Sequence, residues 1–295
     1  MKLANFRFGG TVRPGLVLHD MVFDVAEVSS AMSRVSNIDD MLRMGLLETL
    51  HEESAAGLHG VQVKEAKFLS PVLNPDKILL AAVNYASHRR EQSAGERTEP
   101  YLFTKFGSCL VGQDDPVVLP RVSKKMDWEV ELAVIIGRKG KYVPKEKAME
   151  YVAGYSVAND ISFRDLQFPP GWPERLNPLG QNWVKGKMLD TALPLGPCLV
   201  SSSEIPDPYD LDMTLKVNGV ERQRANTGDM ISRIDRLIEY ASDGVTLLPG
   251  DVISTGTPAG VAVFSGAPFL KAGDRIEAWI EGIGTLRNTV IGETA

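Results

Sequence analysis

Residues 127–137, DWEVELAVIIG, carry the densest chemistry in the chain. Trp128, Val130, Leu132, Val134 and Ile136 alternate with Asp127, Glu129, Glu131, Ala133 and Ile135. That is the two-residue period of a β-strand, and it places Asp127, Glu129 and Glu131 on one face. Glu129 and Glu131 then stand roughly 6 to 7 Å apart, and carboxylates that close repel unless protons or a cation intervene. A hard divalent ion, Mg2+ or Mn2+, resolves the conflict. The alternative is a half-exposed strand with a solvated outer face, and spacing alone leaves both open. A further acid, Asp160, ends an apolar run of small residues in VAGYSVANDISFRDLQ (152–167). Arg164 and Gln167 follow it by four and seven positions, so one helical turn brings all three to the same side, as the floor of a pocket. A turn or N-cap built by Asn159, Asp160 and Ser162 is the competing reading.

Positioning these groups falls mainly to strands. Short strands are predicted at Lys2 to Arg7, Thr11 to Leu18 and Met21 to Val25, then an amphipathic helical stretch from Ile38 to Leu50 and a strand-like 61–69. Pro71 and Pro75 mark a boundary near residue 70, dividing a small N-terminal domain (1–70) from a larger one (71–295). In the larger part, strands are predicted at Ile78 to Val83, Leu102 to Lys105, Glu129 to Ile136, Val152 to Ala158, Met213 to Val217, Asp251 to Thr255 and Arg275 to Ile280. Asn218-Gly219 reads as a hairpin turn. Helices are predicted around His88, at Lys145 to Tyr151 and at Ile231 to Ser242, too few to separate the strands of a doubly wound parallel sheet. The expected class is α+β and strand-rich, an antiparallel or mixed sandwich or roll with peripheral helices.

Composition narrows the function. With 32 basic and 38 acidic residues the chain has a net charge of -6, so it lacks the overall positive field that draws in nucleic acid or anionic lipid. Cys109 and Cys198 lie far apart in sequence, and His19, His51 and His59 fall within the first 60 residues, away from the acids. Neither a zinc cage nor a disulfide scaffold fits. The apolar runs are too short to span a bilayer, and no cleavable leader is evident in MKLANFRFGG, so the expectation is a cytoplasmic protein.

Several strings recur in a telling order: ILLAAVNYASHRRE, YLFTKFGS, DWEVELAVIIG, VAGYSVANDISFRDLQ, KGKMLDTALPLGP, DMTLKVNGVERQRANTGDM, LLPGDVISTGTPAGV and AGDRIEAWIEGIGTLRN. Over about residues 75–290 they resemble the fumarylacetoacetate hydrolase family. The resemblance implies a mixed β-sandwich or β-roll catalytic domain and a homodimer. It also implies a divalent ion on Glu129, Glu131 and Asp160, with Mg2+ or Mn2+ favoured and Ca2+ also accommodated. It places an H-x-x-E dyad on His88 and Glu91, an active-site lysine on Lys187, and substrate contacts on Arg164 and Gln167. Lys105 in LFTK and Thr257 in GTPAG match positions that face the substrate or metal region. Read locally, His88 is instead a solvated helix-face histidine beside Arg89 and Arg90. The chain departs from true fumarylacetoacetases at Ala81, where they have an aspartate ligand, and this disfavours fumarylacetoacetate as substrate. Its stretch 168–182 is also longer and richer in proline, with Trp172, Arg175 and Gln181 as substrate contacts or loop packing.

The implied chemistry is carbon-carbon hydrolysis of a small 2,4-dioxo acid such as an acylpyruvate or fumarylpyruvate. Glu91 orients His88, His88 takes a proton from the attacking water, Lys187 stabilises the oxyanion, and a cation spreads the charge of the departing pyruvate enolate. The same parts also suit decarboxylation of an oxaloacetate-like 2-oxo acid, or isomerisation of a 2-hydroxy-diene-dioate. A non-catalytic ligand-binding protein would be expected to have lost Lys187 or one of the acids.

Overall fold

The computed structural model describes residues 1–95, 98–168 and 181–294. Its largest sheet runs, edge to edge, through Val61–Gln62, Met21–Asp24, Thr11–Leu18, Lys2–Phe8, Leu193–Ser201, Val152–Asn159, Val130–Ile136, Val252–Ser254, Ile78–Ala81 and Leu102–Thr104. A second sheet orders Val220–Asn226, Asp212–Val217, Arg275–Ile280, Gly284–Gly292 and Pro116–Leu119. It packs against Leu193–Ser201, Val152–Asn159 and Val130–Ile136. Most pairings are antiparallel, with parallel ones at Val252–Ser254 on Ile78–Ala81, at Leu193–Ser201 on Leu110–Val111 and at Gly284–Gly292 on Pro116–Leu119. The expected strand-rich α+β class with mixed sheets is what forms.

Local rules account for several elements. Asn218 and Gly219 both take positive φ, 52° and 78°, and close the hairpin between Asp212–Val217 and Val220–Asn226, as a two-residue primed turn requires. The stretch predicted helical from Ile38 to Leu50 is shorter in the structure. Asn37 caps a helix Ile38–Arg43 by accepting from Asp40 N at 2.9 Å. Gly45, at φ 67°, ends it, with its N–H donating to Leu42 O while Leu46 N–H donates to Met41 O, the paired bonds that satisfy the last carbonyls of a helix. The 61–69 segment breaks into Val61–Gln62, a 3-10 turn at Val63–Glu65, and Lys67–Phe68. The first strand, Lys2–Phe8, pairs antiparallel with Leu193–Ser201 in the register Lys2↔Val200. Leu3, Leu16 and Val25 share a core with Leu132 and Val134.

Val130–Ile136 lies mid-sheet and is buried at every position. The solvated outer face that its alternation also allowed does not exist, because the second sheet and the neighbouring strands cover it. Among the described residues no helix is long and apolar enough to cross a membrane.

Candidate active site

Two strand ends bring the acids together. Val130 pairs with Asn159. Just beyond that pair, Asn159 Oδ1 accepts from Glu129 N and Glu129 O accepts from Asp160 N, each at 2.9 Å. Glu129, Glu131 and Asp160 thereby each place one carboxylate oxygen within 4.8 Å of the others, at 5%, 2% and 0% exposure. Glu131 Oε2 accepts from Ser254 Oγ at 2.5 Å and Gly256 N at 3.0 Å. Gly256 stands at φ 92°, and a Cβ there would lie 2.8 Å from Ala81 O, so glycine is what lets this backbone N–H approach.

Three buried cations answer the acids. Lys187 Nζ donates to Glu129 Oε2 at 2.7 Å and Asp160 Oδ2 at 2.6 Å. Arg164 Nη2 donates to Glu129 Oε1 at 2.5 Å. Burial would raise the Glu129 pKa, but Lys187 and Arg164 hold it well below the usual carboxylate range. Burial, then the charges of Asp160 and Glu129, push the Glu131 carboxyl well above that range. Lys105 Nζ, also buried, spends its hydrogens on the carbonyls of Ile161, Lys187 and Ala192. Asp160 Oδ1 is left with no hydrogen-bond donor among the described residues. Converging hard oxygens, one of them facing the Lys105 ammonium at 2.9 Å without accepting a hydrogen bond, fit a divalent cation.

His88 sits on the short helix Ala86–Glu91, whose entry is held by Asn84. The Asn84 Nδ2 donates to the carbonyls of Ser232 and Thr255, and its Oδ1 accepts from Ser232 N. His88 is 4% exposed, so the solvated helix-face reading is wrong: the helix leans inward and Phe264 meets the imidazole edge-on. His88 Nδ1 lies 3.0 Å from Glu91 Oε2, and Glu91 Oε1 accepts from Gly260 N at 3.0 Å. Nε2 faces the Gln92 carboxamide.

His88, Arg164, Gln167, Lys187 and Thr257 join the three carboxylates around one cavity. Glu91 stands behind His88. Thr257 Oγ1 donates to Val130 O and accepts from Gln223 Nε2. Gln167 accepts from Arg164 Nη1 at 2.9 Å and donates to Gln181. Gln181 lines the cavity, whereas Trp172 and Arg175 lie outside the described residues.

One expectation needs correction. Asp127 does not share the face of Glu129 and Glu131. Met126–Asp127 leaves the strand to pair with Ser162–Phe163, and the Asp127 carboxylate accepts from Arg164 Nε and from the N–H groups of Trp128, Ala262 and Val263. Lys105 faces the carboxylate cluster, as its sequence match implies, with Nζ 2.9 Å from Asp160 Oδ1, although it does not line the cavity itself. Several cavity residues escaped the sequence reading, Gln92, Phe103 and Trp183 among them. Gln92 follows His88 by four positions, a helical spacing that could have flagged it. Phe103 and Trp183 stack at 4.5 Å, a contact too distant in sequence to leave a signal.

Comparison with known proteins agrees with this geometry. The family model for the fumarylacetoacetate hydrolase C-terminal region matches residues 77–291. The mitochondrial oxaloacetate tautomerase FAHD2A of Bos taurus is 45% identical over 228 residues, 77% of this chain and 70% of that protein. Two solved structures cover the whole of this chain and are wholly covered by it. One is the maleylpyruvate hydrolase of Sphingobium sp. SYK-6 in complex with manganese(II) and pyruvate, at 32% identity and a TM-score of 0.80. The other is the 5-carboxymethyl-2-hydroxymuconate delta-isomerase of Mycobacterium smegmatis, at 30% and 0.77.

Proposed function

This chain belongs to the fumarylacetoacetate hydrolase family, and from that premise we propose that it interconverts the enol and keto forms of a small 2-oxo dicarboxylic acid of the oxaloacetate class. The observation that carries the proposal is a single buried cavity joining a cation-ready carboxylate triad to a histidine held by a carboxylate. Glu129, Glu131 and Asp160 would hold Mg2+ or Mn2+, with Ca2+ also suited to an all-oxygen site. The bound ion supplies positive charge for the 2-oxo and carboxylate oxygens of the substrate.

The side chains supply the rest. Glu91 accepts from Nδ1 and so directs the basic Nε2 of His88 to the cavity side. Nε2 takes a proton from the carbon beside the keto group, the resulting imidazolium gives a proton to the oxygen directly or through a water, and the enol results; the reverse transfer returns the keto form. Lys187 stands where negative charge develops on that oxygen. Arg164 and Gln167 offer donors to the carboxylates of the substrate. The stacked Phe103 and Trp183 wall narrows the cavity and limits water.

Proton transfer of this kind needs a base and no attacking water. The bovine relative named as an oxaloacetate tautomerase supports it over the carbon-carbon hydrolysis expected from the dyad. Hydrolysis of a 2,4-dioxo acid is the second reading, favoured by the complete His88–Glu91 pair and by the likeness to a maleylpyruvate hydrolase. Isomerisation and decarboxylation draw on the same enol chemistry.

The test is metal-stripped protein with oxaloacetate, following enol absorbance with and without Mg2+ or Mn2+, beside His88→Ala. Accelerated decay dependent on both the ion and His88 is expected. Pyruvate and a free acid released from an acylpyruvate, with no effect on the enol of oxaloacetate, would transfer the assignment to hydrolysis.

A further inference from the structure

We infer that Gln92 is a positioning residue for His88: its carboxamide fixes the imidazole with the proton on Nδ1 and covers Nε2 until substrate displaces it. The inference rests on the reading of His88 as the base. Glu91 Oε2 lies 3.0 Å from His88 Nδ1, and an ionised carboxylate only accepts, so Nδ1 carries the proton. In a neutral ring Nε2 is then an acceptor, and the group that meets it is the Gln92 Nε2 amide, a donor. Gln92 follows the last residue of the helix Ala86–Glu91, with its backbone N–H donating to His88 O at 3.0 Å. Its side chain therefore folds back over the ring one turn earlier. Phe264 closes one edge of an imidazole that is almost wholly buried, and Gln92 itself lines the cavity. A substrate carbon approaching Nε2 meets the carboxamide first.

Gln92 thus competes with substrate for the base while keeping that base in its usable tautomer. Losing it has opposite effects on two kinetic constants. KM falls by about fivefold, the factor one neutral hydrogen bond carries, because nothing has to be displaced. The turnover number falls too, because the ring is no longer held in one form.

The experiment uses full-length protein labelled with 15N-histidine, in which only four histidines contribute and His88→Asn assigns the signal of interest. Gln92→Met keeps the length of the side chain and removes the donor, and a melting curve matching wild type establishes that it folds. In wild type the His88 ring is expected as the Nδ1–H tautomer with a hydrogen-bonded Nε2. That Nε2 signal is expected to move in Gln92→Met, and to move the same way in wild type when pyruvate and Mg2+ are added. Gln92→Glu, which faces Nε2 with acceptors only, is expected to lower turnover further than Gln92→Met.

A wild-type ring protonated on both nitrogens, an Nε2 signal identical in wild type and Gln92→Met, or turnover lowered with KM unchanged would each overturn the inference. The spectra need no turnover. A wild type that leaves oxaloacetate untouched therefore counts against the tautomerase reading alone, and an unmoved Nε2 signal counts against Gln92 alone.

Discussion

Lys105 Nζ lies 2.9 Å from Asp160 Oδ1 yet directs its hydrogens elsewhere, to three backbone carbonyls. The charge is close enough to offset the carboxylate, while the oxygen keeps its lone pairs free for a cation. The same ammonium ties together the loop after Asp160, the end of the Lys187 helix and the residues leading into Leu193–Ser201.

Replacing it removes one of the two ammonium groups beside the buried Asp160, leaving Lys187 alone, and takes the donor from three carbonyls. Lys105→Met is expected to lower unfolding free energy by about 3–5 kcal/mol, the usual cost of removing one partner of a buried pair. Urea denaturation followed by tryptophan fluorescence measures it, and a loss below about 1 kcal/mol would show that Lys105 does not hold these segments together.

Ser254 reaches the cation site through Glu131, whose Oε2 accepts its hydroxyl at 2.5 Å. Groups that orient a ligand commonly govern metal affinity by about 10–100-fold. Ser254→Ala is expected to weaken Mn2+ binding by that factor in titration calorimetry, with the fold intact by circular dichroism.

Glu131 and Glu129 give the metal-free protein opposite responses to pH. Burial and its acidic neighbours raise the Glu131 pKa above the ordinary 4.5. Its contribution to stability is therefore fully present below that value and is lost as pH rises through the raised one. Glu129, lowered by Lys187 and Arg164 against the effect of burial, contributes above 4.5 and loses that contribution as pH falls below it. The melting temperature of metal-free protein is expected to decline from about pH 5 towards neutrality. Cation binding expels the Glu131 proton, so stabilisation by Mg2+ is expected to grow over the same range. Melting curves at fixed ionic strength test this, and a Mg2+ effect that is flat with pH would contradict it.

Phe103 presents its ring beneath Lys187, with Nζ 5.4 Å from the centroid, and stacks on Trp183. Phe103→Leu keeps an apolar wall and loses the aromatic face. Such contacts carry about 0.5–2 kcal/mol, so kcat/KM for oxaloacetate is expected to fall by about two- to thirtyfold. Steady-state kinetics measures it, and an unchanged value would assign the ring to packing alone.

Much of this site was legible in the sequence because its signals are local. Glu129 and Glu131 are two apart on a strand, and Arg164 and Gln167 share one turn; His88 and Glu91 come only from the family resemblance, since the local pattern reads as a solvated helix face. What escaped depends on distant chain. Alternation carried Asp127 onto the Glu129 face, but its carboxylate belongs to Ala262 and Val263, over a hundred residues later. The acid-apolar pattern of 127–137 looks one-sided, yet Val130–Ile136 is buried at every position, with the second sheet packed against it. Lys105 reads as a cation at a strand end, and nothing near it announces the carbonyl of Ala192.

The pairing of Lys2–Phe8 with Leu193–Ser201 has a consequence for the growing chain. The hairpin of Lys2–Phe8 with Thr11–Leu18 can form early, and Phe6 and Arg7 soon find Phe68 and Lys67 along the other edge, but the partners of Lys2 and Leu3 on that edge are translated about two hundred residues later. Until then the backbone groups of Lys2 and Leu3 that will meet Val200 and Leu199 stay open to any passing strand. Such long-range closure is slow and exposed to misassembly, so nascent chains stalled before residue 193 should depend on chaperones far more than those released after Ser201.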